Sequence, residues 1–267
     1  MNVLVTNDDG YGAWGIEALV NELSKKHNVF VIAPDGNRSG NSHHITIGSK
    51  LILKRLSEKH WTSSGTPADC VCSALKDNLL GTKIDVVVSG INKGENLGTE
   101  IIYSGTCGAA RQAVLDGVPG IAVSMTLPSP GMEWNDRKNW HFESLAEFVS
   151  CNLEVLASLC VASDGGRGRD HPCVFVNVNG FSHEKFSEAV FTDTCFMEFI
   201  GDKISLEPLN EENTEFASIL EGGENSVKSR RYSDYQACKD GKISVSRIYA
   251  EPRCVMPENL DSITFSL

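Results

Sequence analysis

The chain has 267 residues, 41% hydrophobic and 22% charged, which is enough to bury the core of one large α/β domain or of a domain with an appendage. Its formal net charge of −11 argues against a nucleic-acid polymer as partner, because polymer binding leans on clustered Lys and Arg. A small phosphorylated ligand is compatible with that charge, provided a cation or backbone N–H groups help locally.

Val3-Leu4-Val5 reads as a short buried strand. Residues 16–25 have helical spacing, with Ile16, Leu19, Val20 and Leu23 on one face. Val29-Phe30-Val31-Ile32-Ala33 is a second buried strand, ended by Pro34, and Ile45-Thr46-Ile47 and Leu51-Ile52-Leu53 are expected to be two more. A helix is expected over 67–80, with Thr66 as N-cap and Pro67 at its first position. Then come a strand at 84–88, a helix at 106–115 and a strand at 121–123. Continuous apolar strands alternating with helices indicate a mostly parallel sheet covered on both faces.

After Pro128 the character changes. One long helix is expected over 142–159, a flexible loop at Gly165-Gly166-Arg167-Gly168-Arg169, a strand over 174–179, and short strands and turns from Phe186 onward. Residues 207–224 are acidic and read as loop. No internal repeat is evident, and the second half, which shows no site-like cluster, reads as scaffold and oligomer surface. Residues 1–180 are taken as the catalytic core. Residues 181–267 are taken as an extension with an oligomerisation arm that returns to the core at its end.

The start lacks a basic segment followed by a long apolar run, so no signal peptide is expected. No stretch approaches the roughly 18 uncharged apolar residues of a membrane span. The nine cysteines are an odd number, scattered and without a CxxC pair, as expected of free thiols in a reducing cytoplasm.

Ligands of such sheets bind beyond the carboxyl ends of the strands, where the polar, Gly-rich segments of this chain fall. The first is Asn7-Asp8-Asp9-Gly10. Adjacent carboxylates are costly unless neutralised, and a hard divalent cation with oxygen ligands does this. The same four residues also suit a solvated turn. Next to them, Gly10-Tyr11-Gly12-Ala13-Trp14-Gly15 matches GxGxxG, with Asp35 about 20 residues on, as in a dinucleotide site. Asp8 and Asp9 would repel a pyrophosphate there, so an NAD-dependent oxidoreductase is the rival reading.

The second segment, residues 35–44, offers the Ser39 hydroxyl and the Arg38 cation. His43 and His44 are adjacent and would point opposite ways in an extended chain, which suits a rim better than a metal pair. The third, residues 89–98, has Asn92, Asn96 and three glycines, and is followed by Ser104-Gly105-Thr106 opening a helix. Free N–H groups at that helix start make an anion site or an ordinary cap, and one geometry serves both. Cys107 lacks the Arg five residues on that a tyrosine-phosphatase-like nucleophile needs and reads as a packed thiol. The segment from Ser63 to Cys70 serves first to cap its helix.

Taken together, the stretches VTNDDG (5–10), VIAPDGNRSG (31–40), SGTPADCV (64–71), VVVSGINKGENLG (86–98), IIYSGTCGAA (101–110) and GIAVS (120–124) resemble the SurE family of 5′/3′-nucleotidases, the stationary-phase survival proteins. A weaker match covers YSDYQACKDGKISVSRI (232–248), the family's late segment leading into a final strand. The resemblance implies a Rossmann-like α/β fold with a β-rich C-terminal extension exchanged between subunits of a homodimer or homotetramer. It implies one divalent ion per subunit, Mg²⁺ or Mn²⁺ with Ca²⁺ as a further occupant, held by Asp8, Asp9, Ser39 and Asn92. Asn96, Ser104, Gly105 and Thr106 would face the phosphate, with Asp8, Asp9 and Asn96 acting in catalysis. The implied reaction is hydrolysis of nucleoside 5′-monophosphates, with 3′-monophosphates and short polyphosphate as further substrates. A non-catalytic nucleotide-binding module is a third alternative. The Cys-rich and Glu-rich stretches of the second half depart from the family pattern.

Overall fold

The computed structural model describes residues 1–77, 79–129, 131–161, 172–228 and 232–253. Its centre is a nine-stranded sheet whose middle strands are β1 (Asn2–Thr6), β2 (Asn28–Pro34), β4 (His60–Ser63), β5 (Val86–Lys93), β6 (Gly120–Thr126) and β7 (Val174–Phe181). The edges are built from β3 (Leu53–Arg55), β8 (Ala189–Phe191) and β13 (Ile243–Tyr249), in the order β3-β4-β2-β1-β5-β6-β7-β13-β8. The run from β4 to β7 is parallel throughout. β3 joins β4 antiparallel, and β13 returns antiparallel against β7.

The middle strands carry apolar residues on both faces because both faces are covered. In β1, Val3 and Val5 enter one cluster with α1 (Trp14–Leu23) and α4 (Phe142–Cys151), while Leu4 points the other way, toward α2 (Pro67–Leu75) and α3 (Gly105–Leu115). β2 and β5 alternate the same way, Val31 and Val88 on the first face, Phe30 and Val87 on the second. All three β1 side chains are fully buried, worth roughly 1.5–3 kcal/mol each against exposure. α2 begins as its sequence foretells: the Thr66 hydroxyl accepts from the Asp69 backbone N–H at 3.2 Å, the Asp69 carboxylate accepts from that of Thr66 at 2.9 Å, and Pro67 sits at the first position.

Strand order fixes where a ligand can sit. From β1 the chain moves outward through β2 and β4, then crosses back to β5 and proceeds the other way. The switch therefore lies between β1 and β5, whose carboxyl ends carry Asn7-Asp8-Asp9-Gly10 and Asn92-Lys93.

Several elements differ from the sequence expectation. Residues 45–47 form no strand: the backbone N–H and hydroxyl of Thr46 bond the Asp69 carboxylate at 2.8 and 2.9 Å, and the Ile47 side chain is 87% exposed. Of 51–53 only Leu53 enters a strand, and the partner that patterning did not reveal is β4, anchored by buried Trp61. α2 stops at Leu75, short of 80. β5 runs on to Lys93, so Ser89-Gly90-Ile91-Asn92 belongs to the strand, with a register shift between Ser89 and Asn92. The expected helix over 142–159 is two, α4 and α5 (Leu153–Ser158), parted at Asn152, whose side chain donates to the Phe148 carbonyl at 2.8 Å. The acidic stretch 207–224 is not a loop: β10 (Lys203–Pro208) and β11 (Phe216–Glu221) pair as an antiparallel hairpin, beside β9 (Phe196–Ile200) paired with β12 (Glu224–Lys228). Last comes α6 (Asp234–Lys239) before β13. The loop expected at 165–169 lies outside the described residues.

Candidate active site

The turn after β1 is built by Asn7. Its carbonyl oxygen accepts from the Gly10 N–H at 3.2 Å and its amide donates to the Gly10 carbonyl at 3.0 Å, closing the loop around Asp8 and Asp9. Gly10 has φ +105°, and a Cβ there would meet the Gly36 backbone at 3.0 Å. That approach brings in the loop after β2, where the Arg38 N–H donates to the Asp8 carbonyl at 2.7 Å. Ser39, the next residue, is exposed at the edge of this junction, its N–H capped by Asn37 Oδ1 at 2.7 Å. Arg38 itself pairs with Asp35.

Asp8 is 3% exposed. Its Oδ1 accepts from the Thr106 hydroxyl at 2.6 Å. Gly105 permits the contact, since a Cβ there would lie 3.0 Å from Asp8 Oδ2. Burial pushes the Asp8 carboxyl above its usual range, while the Thr106 hydroxyl and the backbone N–H groups of the loop and of α3's first turn pull against it. Burial likewise pushes Asp9 up to about 6, opposed by the Lys93 N–H, which donates to Asp9 Oδ2 at 2.9 Å. The Asp8 charge raises Asp9 further.

Asn92 is nearly buried on β5, its amide turned to the Gly94 carbonyl at 2.9 Å. Asn96 is held on every side. Its amide donates to Ser124 Oγ at 2.7 Å, its N–H to Asn179 Oδ1 at 2.9 Å, and its carbonyl accepts from Asn177 and Asn179 at 2.9 and 3.2 Å. Ser104 caps α3, its oxygen accepting from the Cys107 N–H at 3.0 Å. The structure thus brings Asp8 and Asp9 together with Gly105 and Thr106, and sets Asn92 beside them on β5. Of the two hydroxyls at the start of α3, one is spent on Asp8 and the other on the cap.

The remaining candidates have structural occupations. Cys107 is wholly buried, its thiol pushed up to about 12 by that burial and 3.6 Å from Asn177 Oδ1, so it is a packed thiol. His43 Nε2 meets Gln112 at 2.9 Å, and the His44 carbonyl accepts from Thr66. Gly10 and Gly15 of the GxGxxG run serve chain packing. Gly10 backs onto Gly36, and a Cβ on Gly15 would meet the Ile91 carbonyl at 1.9 Å.

Sequence reading placed nothing of the site in the second half, and here the structure corrects it. Asn177 and Asn179 on β7 position Asn96, and Asp234 of α6 accepts from the Gly98 N–H at 2.8 Å, clamping the loop beyond it. A signal was present. Two buried asparagines at alternate positions of an otherwise apolar strand need partners, and the loop backbone supplies them.

Whether these residues suit a metal ion can be judged from the donors. Among the described residues neither Asp8 nor Asp9 forms an ion pair, and no group of three His, Cys, Asp or Glu could hold an ion. One buried and one half-buried carboxylate, neither of them in an ion pair, with the neutral oxygens of Asn92 and Ser39 at hand, make a donor set that fits a hard, oxygen-preferring divalent ion.

Comparison with known proteins shows the family and the fold. The family model described as "Survival protein SurE" matches residues 3–198. A Treponema pallidum protein named 5′-nucleotidase SurE is 43% identical over 194 residues, covering 72% of this chain and 96% of its own. A Clostridium botulinum protein of the same name is 50% identical over 212 residues, covering 76% and 81%. The crystal structure of the SurE protein from Aquifex aeolicus superposes with a TM-score of 0.73 at 27% identity, covering 98% of both chains. On the family match and these relatives, this chain belongs to the SurE family of survival proteins.

Proposed function

We propose that this chain is a divalent-metal-dependent phosphatase that hydrolyses nucleoside 5′-monophosphates to nucleoside and phosphate. One observation carries the reading: two adjacent carboxylates, the buried Asp8 and the half-buried Asp9, stand at the sheet's switch point, Asp8 against the first turn of α3. The curated relatives named 5′-nucleotidase support the substrate class.

Asp8, Asp9, Ser39 and Asn92 would hold the ion, either Mg²⁺ or Mn²⁺. When bound, it supplies Lewis-acid polarisation of the phosphate and offsets the charge that develops as the ester bond breaks. The chain's own residues do the rest. Asn96, fixed by Ser124, Asn177 and Asn179, presents its amide to a phosphate oxygen together with the start of α3 (Ser104, Gly105, Thr106). Thr106 orients Asp8. Asp9 orients the attacking water and takes its proton; the water oxygen bonds to phosphorus, and the ester oxygen leaves and is protonated.

The test is phosphate release from AMP, GMP, 3′-AMP and short polyphosphate with Mg²⁺, Mn²⁺ or EDTA, using the native chain and Asp9→Asn. The 5′-monophosphates should be turned over with metal and not with EDTA, and Asp9→Asn should lose at least about 100-fold, the scale of losing a group on which charge stabilisation depends. Unchanged release by Asp9→Asn at saturating metal would overturn the assignment. The other two substrates decide whether 3′-nucleotidase and polyphosphatase activities accompany the first.

We infer a homo-oligomer assembled through the arm of β9 to β12. Ile204, Leu206 and Leu220 are each at least 60% exposed on the β10–β11 hairpin, apolar surface that a second copy would cover.

A further inference from the structure

Beside Asp9, on the side away from α3, lies a concavity of about 390 Å³ lined by Asp9, Trp14, Lys93, Asn135 and Phe142. It has an unusual furnishing. The Lys93 ammonium stands 5.0 Å from the ring centre of Trp14, 5.3 Å from that of Trp134 and 5.5 Å from that of Trp140. It also donates to Asn135 Oδ1 at 3.2 Å. The mouth is braced from behind. Trp140 is 1% exposed, stacks on Phe142 at 5.2 Å, meets Trp134 edge-on at 4.8 Å and donates its indole N–H to the Trp134 carbonyl at 3.0 Å. Trp134, by contrast, is 44% exposed, so a rigidly supported indole is presented to solvent at the edge of the site.

These parts answer a specific chemistry. Flat aromatic walls take a flat aromatic ligand, and an indole offers a stacking face to any base. A phosphate or sugar would leave that surface unused. The ammonium is a donor with three protons and no lone pair, and Asn135 takes one of them. The rest face the indole rings, which accept only weakly, so stronger acceptors on a ligand can take them. The 6-oxopurines present two side by side, O6 and N7, whereas adenine sets an amino donor beside N7 and the pyrimidines give less surface to stack. The Lys93 backbone N–H holds Asp9, so this subsite and the carboxylate pair share one rigid residue.

We propose that this concavity is a nucleobase subsite selecting 6-oxopurine nucleotides, in which Trp14 and Trp134 stack on the base and the Lys93 ammonium donates to O6 and N7. The proposal rests on the reading of the chain as a nucleoside monophosphatase.

The experiment measures kcat/KM of the metal-loaded full chain for GMP, IMP, AMP, CMP and base-less ribose 5-phosphate, in the native protein, Lys93→Met, Lys93→Arg and Trp134→Ala. The native enzyme should favour GMP and IMP over AMP by about 10-fold or more, as one paired donor contact commands. Lys93→Met should bring that ratio to about one, and Lys93→Arg should keep it. Trp134→Ala should move every nucleotide toward the ribose 5-phosphate value. Each variant is normalised to its own ribose 5-phosphate turnover, so a general loss of activity does not imitate a loss of selectivity. Guanosine and inosine should also inhibit the native enzyme more strongly than adenosine by the same factor, a measurement that needs no variant to fold. Equal kcat/KM for GMP and AMP, equal inhibition by guanosine and adenosine, or a ratio unmoved by Lys93→Met would each overturn the subsite. Absence of metal-dependent release from all five substrates would overturn the phosphatase reading instead.

Discussion

The hydroxyl of Thr106 donates to Oδ1 of Asp8 at 2.6 Å, joining the first turn of α3 to the end of β1 across 98 positions of sequence. This bond fixes which way the Asp8 carboxylate faces, and it opposes the burial that otherwise favours the protonated form. Thr106→Val keeps the shape and removes the donor. Divalent-ion affinity should weaken about 10- to 100-fold, the usual cost of losing an orienting partner, while Thr106→Ser stays close to native. Calorimetric titration with Mn²⁺ checks this, and equal affinities for the valine variant and the native protein would refute it.

Glu100 gives the metal-free protein a pH dependence. Burial pushes its carboxyl up to about 8, with the Glu95 and Asp234 charges adding to the effect and the Leu97 N–H opposing it. The unfolded chain releases this proton near the ordinary 4.5, and the folded protein holds it until about 8. Between those values the native state binds more protons, so stability is full below about pH 4.5 and falls as pH rises through 8. Glu100→Gln removes the penalty. Urea midpoints in EDTA should therefore decline for the native protein from pH 5 to 9 and decline less for the variant, which becomes the more stable of the two at pH 9. Parallel profiles would contradict the assignment.

Hydrophobic continuity made the central strands legible in sequence, because Val3, Leu4 and Val5 are buried on both faces and nothing polar interrupts them. Asp8, Asp9 and Thr106 were each legible as strand-end and helix-start residues, and what joins them is the strand order. The elements that were missed share a cause. β4 is only four residues long, and β10 and β11 carry charged residues on strands that leave most of their surface to solvent, so local pattern and burial part company there. Asn152 divides a continuous helical pattern by bonding a carbonyl of its own helix, a local competition that periodicity does not register. The support of Asn96 by Asn177 and Asn179 depends on contacts more than 80 residues apart and became visible only once β7 was placed in the sheet.

The hairpin of β10 and β11 offers a direct test of association. Ile204 pairs with Leu220, and Leu206, two residues on along β10, shares their face, so the three make one apolar stripe. Replacing Ile204 and Leu206 together by Lys puts two charges on that stripe without touching the nine-stranded sheet. Light scattering after size exclusion should show the native chain as a multimer and the double variant at lower mass, its far-UV circular dichroism little changed. An unchanged mass would move the interface elsewhere on the molecule.

Asn179 separates positioning of the phosphate from binding of the metal. Its side chain both accepts from the Asn96 N–H at 2.9 Å and donates to the Asn96 carbonyl at 3.2 Å, so Asn179→Ala strips two bonds from one buried residue. Leaving a buried backbone group unpaired costs about 1–3 kcal/mol, and the loop will move to recover a partner. A displacement of about 1 Å in a group that aligns the phosphate can cost on the order of 100-fold in turnover. The Asn96 carbonyl keeps its bond from Asn177 at 2.9 Å, so the loop stays in place while losing its exact alignment. Asp8 and Asp9 are bonded by Thr106 and Lys93, while the Asn179 side chain bonds Asn96, so the ion's binding constant should hold within about two-fold. The expected signature is a fall in kcat of about 10- to 100-fold and weaker inhibition by vanadate, with an unaltered Mn²⁺ titration. A matching loss of Mn²⁺ affinity would mean that Asn179 supports the whole site, and an unchanged kcat that Asn96 does not hold the phosphate.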